Sequence, residues 1–407
     1  MMNVDNLKFP KSILKEEKLD AEQIKQFLTI RADYEKSAFV QEGHFEVRAL
    51  GPKEFVRPIP PGESAITALM SHRSGHVYGG TSGAKPHIFY YNPAPDADSV
   101  ADIGTVLDEP GEVTALLERA DESVLGVVNA EAGTAHLFVY RPWQVLLREK
   151  DFTGMGVREI FDLPAEDQLF FSTIDPCHSA GTVEMLPLAF PEKVSDMAFL
   201  EGIWYFLGAE SGTVFCAEES LAKLEPLGRL DPNGNFSPKF GLHEGKLFGA
   251  GLYGRIFQIT RQGLSATGLC APSLKGLELY NRVSRWCSFA GSLYGATIDG
   301  LLFACQPEEG KIRCLGKPTQ QCFPQGMAAS NGRLYILLGS EEDCAHLAVY
   351  DPETGDLRDL GCPLAHSERP WNGYQFRCMC RGRSGTLFLG EADRISYLFL
   401  YFPACKP

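Results

Sequence analysis

The sequence predicts an all-β fold, an eight-bladed β-propeller, from a repeat, from its strand pattern and from its two ends. The repeat is a short strand, a glycine turn and a second strand ending in an aromatic residue, and it is clearest at residues 291–303. Successive copies lie roughly 35–53 residues apart, close to the length of one propeller blade. Related copies span 76–89, 204–215, 245–257, 332–350 and 385–399, with weaker ones centred on Leu125 and Phe170.

Each copy predicts four strands that run outward from a central channel. In the sixth copy, alternating apolar residues place strands at 286–289, 292–296, 301–305 and 312–315. Glycine turns separate them, at Ala290-Gly291, at Asp299-Gly300 and before Gly310. The third copy, 160–187, is poorly patterned, so seven blades remain the alternative.

The two ends of the chain predict how the ring closes. The last copy reaches the end of the sequence before its fourth strand, and residues 43–50 alternate like a strand. We expect this segment to supply the missing strand, because closure removes exposed sheet edges. The domains are then a helical extension over residues 1–44 and a propeller over 45–407. Ile24, Phe27 and Leu28 at helical spacing, after a capping Asp20, predict the helix.

Composition places the chain among ordinary soluble proteins, with 44% hydrophobic and 22% charged residues. The net charge of −14 argues against a nucleic-acid partner, since proteins that bind nucleic acids carry a basic excess. The sequence shows neither an apolar run of membrane-spanning length nor a secretion signal at the N-terminus. We therefore expect a cytoplasmic protein with no membrane partner. The oligomeric state is left open.

The 12 cysteines are scattered, mostly within predicted strands, and no pair forms a CxxC motif. This pattern favours buried thiols in a reducing compartment. A disulfide framework and a metal site are the alternatives. The sequence does not decide whether a divalent metal or another cofactor is bound.

One mouth of the channel should collect the turns between second and third strands and the connections between blades. These positions are rich in Arg, Trp, Tyr and Asn, a combination that suits a sugar carrying a carboxylate. Lys239, Trp286 and Gln325 lie in the same connections. Structural alternatives are that the tryptophans pack between blades and that the arginines bridge strand ends. The predicted substrate-binding residues are Arg255, Asn281, Arg282, Arg285, Arg369, Trp371, Asn372 and Gln375.

The histidines fall into distinct groups. Three occupy the same repeat position, just before a third strand: His87, His136 and His346. That equivalence indicates a structural role such as a hydrogen bond to the turn, with a metal held from several blades as the alternative. His72 and His76 flank a turn at the opposite mouth, where we expect them to face solvent.

The candidates for proton transfer are one histidine and two tyrosines. His178 lies in an irregular turn outside the repeat pattern and is the best candidate for a general acid or base. Tyr280 and Tyr253, both at the predicted mouth, are the candidates for its partner. The sequence contains no GxSxG elbow, P-loop or dinucleotide fingerprint.

The blade pattern, Gly-x-Leu-Tyr-Gly-x-Thr, then Gly-x-Leu-Phe and Tyr-Asp-Pro-x-Thr-Gly, resembles bacterial Kelch-like and lyase-like propellers. Residues 78–89 and 389–399 look most like propellers of lyases that cleave uronate-containing polysaccharides and oligosaccharides. This resemblance implies β-elimination, in which a base removes the proton next to the uronate carboxylate and the 4-linked group departs. It also implies that His, Tyr or Arg act as acid and base, and that Arg or a metal neutralises the carboxylate.

The preferred function is a carbon–oxygen lyase acting on short uronate-containing oligosaccharides at this mouth. Arg282, Arg285 and Arg369 would bind the carboxylate and stabilise the enolate-like charge, and Trp371 would stack on the sugar ring. The main alternative is a non-catalytic propeller that binds a glycan or a protein, and a redox-cofactor propeller is a third. A binding platform predicts a broad exposed aromatic patch, whereas an enzyme predicts a narrow basic funnel with perturbed titratable groups.

Overall fold

The computed structural model describes most of the predicted propeller. The described residues are 39–50, 59–93, 99–142, 145–147, 159–162, 169–172, 181–276, 278, 281–320, 323–339, 344–365, 371–373 and 375–404. Residues 1–38 lie outside this part, so the helical extension and its boundary at residue 44 stay predictions. Regular structure in the described residues is almost all strand, with 3₁₀ turns such as Leu252–Gly254 and Pro307–Glu309.

The strands are numbered in chain order. The first are β1 (His44–Ala49), β2 (Ala65–Ser71), β3 (Val77–Gly83), β4 (His87–Asn92), β5 (Ser99–Thr105), β6 (Gly111–Glu118), β7 (Val124–Ala130), β8 (Ala135–Pro142), β9 (Val145–Leu147), β10 (Glu159–Asp162), β11 (Leu169–Ser172) and β12 (Gly181–Leu186). Next come β13 (Val194–Leu200), β14 (Ile203–Gly208), β15 (Thr213–Glu218), β16 (Glu225–Arg229), β17 (Gly241–His243), β18 (Lys246–Ala250), β19 (Arg255–Thr260), β20 (Gly263–Cys270), β21 (Val283–Phe289), β22 (Ser292–Thr297), β23 (Leu302–Gln306) and β24 (Lys311–Gly316). The last are β25 (Pro324–Ser330), β26 (Arg333–Leu338), β27 (His346–Asp351), β28 (Asp356–Gly361), β29 (Leu364–Ala365), β30 (Trp371–Asn372), β31 (Phe376–Arg381), β32 (Leu387–Glu391) and β33 (Tyr397–Phe402).

Antiparallel pairing gathers 28 of the 33 described strands into seven sets of four, numbered here in chain order, and a short pairing of β3 with β6 also joins sets 1 and 2. The seven sets are β2–β5; β6, β7, β8 and β12; β13–β16; β17–β20; β21–β24; β25–β28; and β31–β33 with β1. First strands of neighbouring sets pack together: β2 on β6, β6 on β13, β17 on β21, β21 on β25, β25 on β31 and β31 on β2. Sheets packed in this way around a central channel form a β-propeller, so the predicted fold class is confirmed.

The predicted count of eight blades is not confirmed, because the third copy of the repeat, 160–187, divides between two sheets. Its β10 and β11 form a separate three-stranded sheet with β9. Its β12 pairs along its whole length with β8 and is therefore the fourth strand of set 2. Residues 143–180 are thus inserted between the third and fourth strands of that set.

The first strand of the chain completes the last set, in the pairing that the sequence predicts. All of β1 runs antiparallel to β33. Phe45 on β1 is buried and packs on Tyr401 with ring centroids 4.6 Å apart. Just before β1, the Glu42 carboxylate pairs with Arg333 of set 6 at 2.8 Å, and its carbonyl accepts a hydrogen bond from the Tyr401 hydroxyl at 2.9 Å. The N-terminal segment therefore links sets 6 and 7.

Two-residue turns join the first and second strands of four sets. Both turn residues have positive φ, the geometry that matches the right-handed twist of a hairpin and favours glycine at the second position. The turn predicted at Ala290-Gly291 has this form. The four turns are Glu201-Gly202, Glu244-Gly245, Ala290-Gly291 and Asn331-Gly332.

A repeated aromatic pair packs sets 1, 5, 6 and 7 each on the next set around the ring. A ring on the second strand of one set contacts a tyrosine on the third strand of the next, with centroids about 6 Å apart, within the usual range for aromatic pairs. The recurrent tyrosine of the repeat is therefore an interface residue. The pairs are Tyr78–Tyr140, Tyr294–Tyr350 and Tyr335–Tyr401, and Phe388–Tyr91 joins set 7 to set 1.

Candidate ligand-binding site

The first strands of six sets carry a β-bulge near their N-terminal ends, where the chain arrives from the previous set. A bulge leaves one residue without a ladder partner and redirects its side chain and its carbonyl. The bulged residue is polar in every case. These residues are Thr67, Thr114, Ser195, Ser284, Gln325 and Arg377.

Hydroxyl groups at the bulges join neighbouring first strands. Three of the four donate to the carbonyl of the residue that precedes the bulge in the next set, whereas the Ser195 hydroxyl donates to the Leu207 carbonyl of its own set at 3.3 Å. The bonds run from Thr67 to Val113 at 2.6 Å, from Thr114 to Val194 at 2.9 Å and from Ser284 to Pro324 at 3.0 Å.

Lys239 reaches across the channel from the connection between sets 3 and 4. Its Nζ donates to the carbonyls of Thr114 at 3.1 Å and Ser195 at 3.0 Å, and to Oδ1 of Asp196 at 3.2 Å. The other oxygen of Asp196 accepts the Phe240 N–H at 2.8 Å. All three ammonium hydrogens thus have acceptors. Lys239 holds sets 2, 3 and 4 together rather than offering its charge to a ligand.

Arg285 on β21 is held differently. Its Nε donates to the Gln325 carbonyl at 2.8 Å, and one terminal nitrogen donates to the Ser284 carbonyl at 2.9 Å. The other terminal nitrogen has only a 3.5 Å contact with the Gln325 side chain. Burial lowers the pKa of Arg285, and the negative charge of Asp196 opposes that shift. Within the described part of the chain, no carboxylate pairs with this guanidinium.

A row of backbone hydrogen bonds connects several predicted site residues at the rim of this mouth. The 3₁₀ turn Leu252–Gly254 is fixed because Ala271 donates its N–H to the Gly254 carbonyl at 2.8 Å. The buried side-chain amide of Asn281 then donates to the Ala271 carbonyl at 3.2 Å. Gly254 has φ +65°, and a Cβ there would lie 2.8 Å from that of Ala271. Only glycine lets the turn and Asn281 approach this closely.

The row continues through Arg282. The Arg282 carbonyl accepts the Ile298 N–H at 2.8 Å, and the Ile298 carbonyl accepts the Phe323 N–H at 2.9 Å. At the two ends of the row, Tyr253 and Phe323 are 50% and 46% exposed and have positive φ, 55° and 64°. Non-glycine residues in this conformation need support from the surrounding structure and often occur at functional sites.

Arg282 has an unsatisfied donor in the middle of this row. Its Nε is buried and has no hydrogen-bond acceptor among the described residues. An unpartnered buried donor on a charged group is costly, so this nitrogen is a position where a ligand oxygen would be stabilising. Arg255 follows the Tyr253 turn as the first residue of β19 and is exposed. The structure therefore brings Tyr253, Arg255, Asn281 and Arg282 together.

The remaining predicted site residues are only partly described. His178, Tyr280 and Arg369 lie outside the described residues. Trp371 and Asn372 form β30, which pairs with β29, but their side chains are not described. The half-buried Gln375 accepts the Ala392 N–H at its carbonyl, at 2.9 Å, which places it beside the turn after β32.

Apart from Arg285 and Gln325, sequence reasoning did not select the polar residues on the channel strands. Glu112, Asp196 and Arg377 stand at or beside the bulges, and only Lys239 and Gln325 were noted among the connections. Aligning the repeats on the apolar–polar pair that begins each first strand, such as Val283-Ser284, would have revealed the ring of bulged residues. Trp286 has the structural role that was the alternative to ligand binding, because its Nε1 donates a hydrogen bond to the Lys239 carbonyl at 3.1 Å.

The histidines at the repeat position have the structural role that their equivalence indicates, as two of them show. His87 lies between Asp102 at 3.0 Å and Glu63 at 3.1 Å, and His346 lies 2.8 Å from Asp359. Burial opposes the charge on each ring, but the carboxylates outweigh it and raise the pKa of His87. Together with Cys362, Asp359 raises the pKa of His346 to about 10.

The expectation that His72 faces solvent is wrong. His72 is 3% exposed, with Nδ1 2.7 Å from the Ser74 hydroxyl and Nε2 3.1 Å from the Glu122 carbonyl of set 2. The turn folds this ring inward against the next set. No group of three or more His, Cys, Asp or Glu side chains in the described residues is arranged to hold a metal.

Cysteines in the described residues are free thiols. Cys216, Cys305, Cys344 and Cys362 are buried, as the sequence predicts, and burial raises the pKa of Cys305 to about 12. Cys270 and Cys314 are exposed instead, each on a fourth strand. None of the described helices is long and apolar enough to cross a membrane.

A cavity of about 410 Å³ lies on set 3, between the connection that precedes β13, the turn between β14 and β15 and the outer strand β16. Its lining includes Glu192, Ser211, Phe215 and Arg229. The Glu192 carboxylate already accepts the N–H groups of Glu210 and Ser211, at 2.9 and 2.8 Å. The Glu192 carboxylate in this lining is therefore already bonded to the turn, and the rim around Arg282 is the better candidate.

Comparison with solved structures supports the propeller fold. A streptogramin B lyase matches with a TM-score of 0.58 and 11% identity, over 88% of this chain and 98% of that one. The extracellular domain of a putative hybrid two-component system from B. thetaiotaomicron matches with a TM-score of 0.58 and 13% identity, over 88% of this chain and 39% of that one. The WD40 β-propeller domain of Doa1 matches with a TM-score of 0.54 and 11% identity, over 89% and 97%. At these identities the likeness shows the fold alone.

No family model matches the chain, and no curated protein matches it. The resemblance to Kelch-like and uronate-lyase propellers therefore has no support from a family match. Function has to be argued from the site.

Proposed function

We propose that the protein binds an acidic oligosaccharide along the rim between Tyr253 and Phe323. The observation that carries this proposal is the buried Nε of Arg282, for which the described part of the chain supplies no acceptor. A uronate carboxylate would supply one, since guanidinium and carboxylate groups form paired, charge-assisted hydrogen bonds. The two half-exposed aromatic rings give the flanking surfaces on which sugar rings stack.

Other predicted residues have roles that follow from their places. The exposed guanidinium of Arg255 is next to the Tyr253 turn, where it would reach a second acidic group. Asn281 positions the turn through its bond to Ala271 rather than touching the ligand. Arg369, Trp371, Asn372 and Gln375 are proposed to extend the same surface from the connection between sets 6 and 7.

Calorimetric titration with uronate oligosaccharides and with neutral oligosaccharides of the same length tests this proposal. Arg282→Gln should weaken uronate binding about 10- to 100-fold, the expected cost of one charged hydrogen bond, and leave neutral sugars unaffected. Tyr253→Ala should weaken binding of both. Arg383→Gln is the control, because this exposed arginine lies in the turn between β31 and β32 at the other mouth.

Two outcomes would contradict the proposal. If the wild-type protein binds no uronate oligosaccharide, the rim is not an acidic-sugar site. If it binds but Arg282→Gln and Arg383→Gln behave alike, the ligand lies elsewhere on the protein.

β-Elimination of the bound uronate is the second candidate function, favoured by the Tyr253 phenol beside Arg255 and Arg282. An arginine on the carboxylate would stabilise the enolate-like charge that develops as the α-proton leaves. Tyr253 or Tyr280 would transfer the proton to the leaving oxygen, with His178 as the proposed base. The unsaturated product absorbs in the ultraviolet, so turnover is observed directly. Binding without any rise in absorbance, with or without a divalent metal, would leave the non-catalytic alternative.

For the architecture we propose a ring of seven blades, with residues 143–180 as an insertion in the second. This is supported by the pairing of β12 with β8 and by the packing of β6 against β13, which leaves no first strand between them. Replacing 143–180 by a short glycine-rich turn should preserve cooperative unfolding. Loss of the fold would favour eight blades.

A further inference from the structure

We infer that the channel contains its own site for a single carboxylate, held by Arg285. Arg285 lies three residues after Arg282 in the chain and on the first strand of set 5, so this site is separate from the rim residues. The inference rests on the proposed function only for the source of the carboxylate.

Among the described channel residues, the acidic and basic side chains form ion pairs, except for the guanidinium of Arg285. The Asp196 carboxylate forms an ion pair with Lys239 at 3.2 Å and accepts a hydrogen bond from the Phe240 N–H at 2.8 Å. Glu112 lies 3.7 Å from Arg377. These two acid–base pairs cancel, and Arg285 keeps its positive charge without a carboxylate partner. Burying a charge without a counter-ion is unfavourable, so a bound anion would stabilise the channel.

The hydrogen bonds of Arg285 fix the edge that it offers to an anion. Bonds to the carbonyls of Ser284 and Gln325, at 2.9 and 2.8 Å, hold the guanidinium plane. One terminal nitrogen is left with only the 3.5 Å contact to the Gln325 amide oxygen. Since the other terminal nitrogen also contacts the Ser284 hydroxyl at 3.2 Å, the N–H groups of this one nitrogen are left for a carboxylate oxygen, in a charge-assisted hydrogen bond.

A dianion such as phosphate fits this channel less well. It would need two positive charges, but the ammonium of Lys239 has all its hydrogens bonded and Arg377 lies beside Glu112. A second negative charge would also approach Asp196 and Glu112 in a region of reduced dielectric, where like charges repel strongly. Both observations favour a monocarboxylate.

Thermal unfolding in sodium acetate at constant ionic strength tests the inference, with sodium phosphate as the comparison. Acetate at about ten times its dissociation constant should raise the wild-type Tm by about 2 °C, and phosphate should raise it less. Arg285→Gln should lose the acetate-dependent rise. Arg285→Lys keeps the positive charge but lacks the planar guanidinium group, so it should retain a smaller acetate-dependent rise in Tm. This variant also provides the test if Arg285→Gln does not fold. Arg383→Gln should respond like the wild type.

The source of the carboxylate is resolved by competition. If acetate weakens uronate-oligosaccharide binding to the wild type, the channel takes the carboxylate of that ligand. If acetate raises Tm but leaves oligosaccharide binding unchanged, the occupant is a separate small carboxylate.

An equal acetate-dependent rise in Arg285→Gln and in the wild type would overturn the inference, as would a larger rise in phosphate. Either result leaves the rim proposal intact, because that proposal depends on Arg282. Conversely, loss of the Arg282 effect does not alter the acetate response expected from Arg285.

Discussion

The basic side chains at this mouth differ in how completely they are bonded. Lys239 has acceptors for every ammonium hydrogen, so its charge is used within the protein. Arg282 and Arg285 keep donors that the described residues do not satisfy. Residue type alone therefore does not separate structural from binding cations here, whereas the count of satisfied donors does.

Lys239→Met should destabilise the protein by about 2–4 kcal/mol, because it leaves two carbonyls and the Asp196 carboxylate in the channel without their ammonium donor. The free energy of unfolding in urea measures this. Lys223→Met is the matched control, since Lys223 is 79% exposed and pairs with Glu225 on the surface, and it should unfold like the wild type. An equal effect of the two substitutions would show that the channel bonds of Lys239 are unimportant.

His346 should make stability depend on pH in the alkaline range. Burial works against its charge, but Asp359 and Cys362 raise its pKa to about 10, above that of the unfolded chain. Its protonated form therefore stabilises the fold fully below about pH 6.5, and this contribution is lost as the pH rises toward 10. The difference in unfolding free energy between wild type and His346→Gln should be larger at about pH 6 than at about pH 10. A pH-independent difference would contradict this.

His136→Gln is the control for that measurement. His136 occupies the same repeat position but contacts the Thr134 hydroxyl at 3.2 Å. At about pH 6, its substitution should change the free energy of unfolding far less than His346→Gln does.

At the scale of elements, strands that alternate and end in glycine turns were predictable. The sixth copy was predicted at 286–289, 292–296, 301–305 and 312–315, and β21–β24 are observed within three residues of those bounds. Residues 160–187 were not predictable in the same way. Whether β12 joins β8 or starts a blade of its own depends on a tertiary pairing that local alternation does not encode.

The bulges are the element-scale feature that positions the site. They place a polar residue at the start of six first strands, and three of the hydroxyl-bearing ones join neighbouring sets. The sequence shows the polar residue but not the bulge, because an extra residue in a ladder is defined only by the partner strand.

Thr67→Val should cost about 1–2 kcal/mol, because it keeps the shape of the side chain but leaves the buried Val113 carbonyl without its 2.6 Å hydrogen bond. Equilibrium unfolding in urea is the measurement. Thr105→Val, at the exposed end of β5, is the control and should lie within about 0.5 kcal/mol of the wild type. If both variants unfold alike, the bond between sets 1 and 2 contributes nothing to stability.

At the scale of the whole molecule, the ring brings together residues that are far apart in the chain. Lys239 bonds Thr114, and Arg377 approaches Glu112 across the channel. The rim residues Tyr253, Arg255, Asn281 and Arg282 were predictable as a group, because they lie at the turn between β18 and β19 and in the connection to the next set, which the repeat places at one mouth. The channel residues come from different sets, so their contacts follow from the ring closure rather than from any local pattern.

Closure by β1 should decide whether the ring unfolds as one unit. Removing residues 1–50 would leave β33 as an open edge and remove Phe45, Val40 and the Glu42–Arg333 ion pair from the interface of sets 6 and 7. We expect the truncated chain to lose its single cooperative transition in calorimetry. Phe45→Ala is the milder form of the same test and should cost about 3–5 kcal/mol while keeping the strand pairing. Because Phe402 on β33 is 36% exposed, Phe402→Ala controls for loss of an aromatic ring and should cost far less. If the truncated chain melts as sharply and at the same temperature as the full chain, the pairing of β1 with β33 does not hold the ring closed.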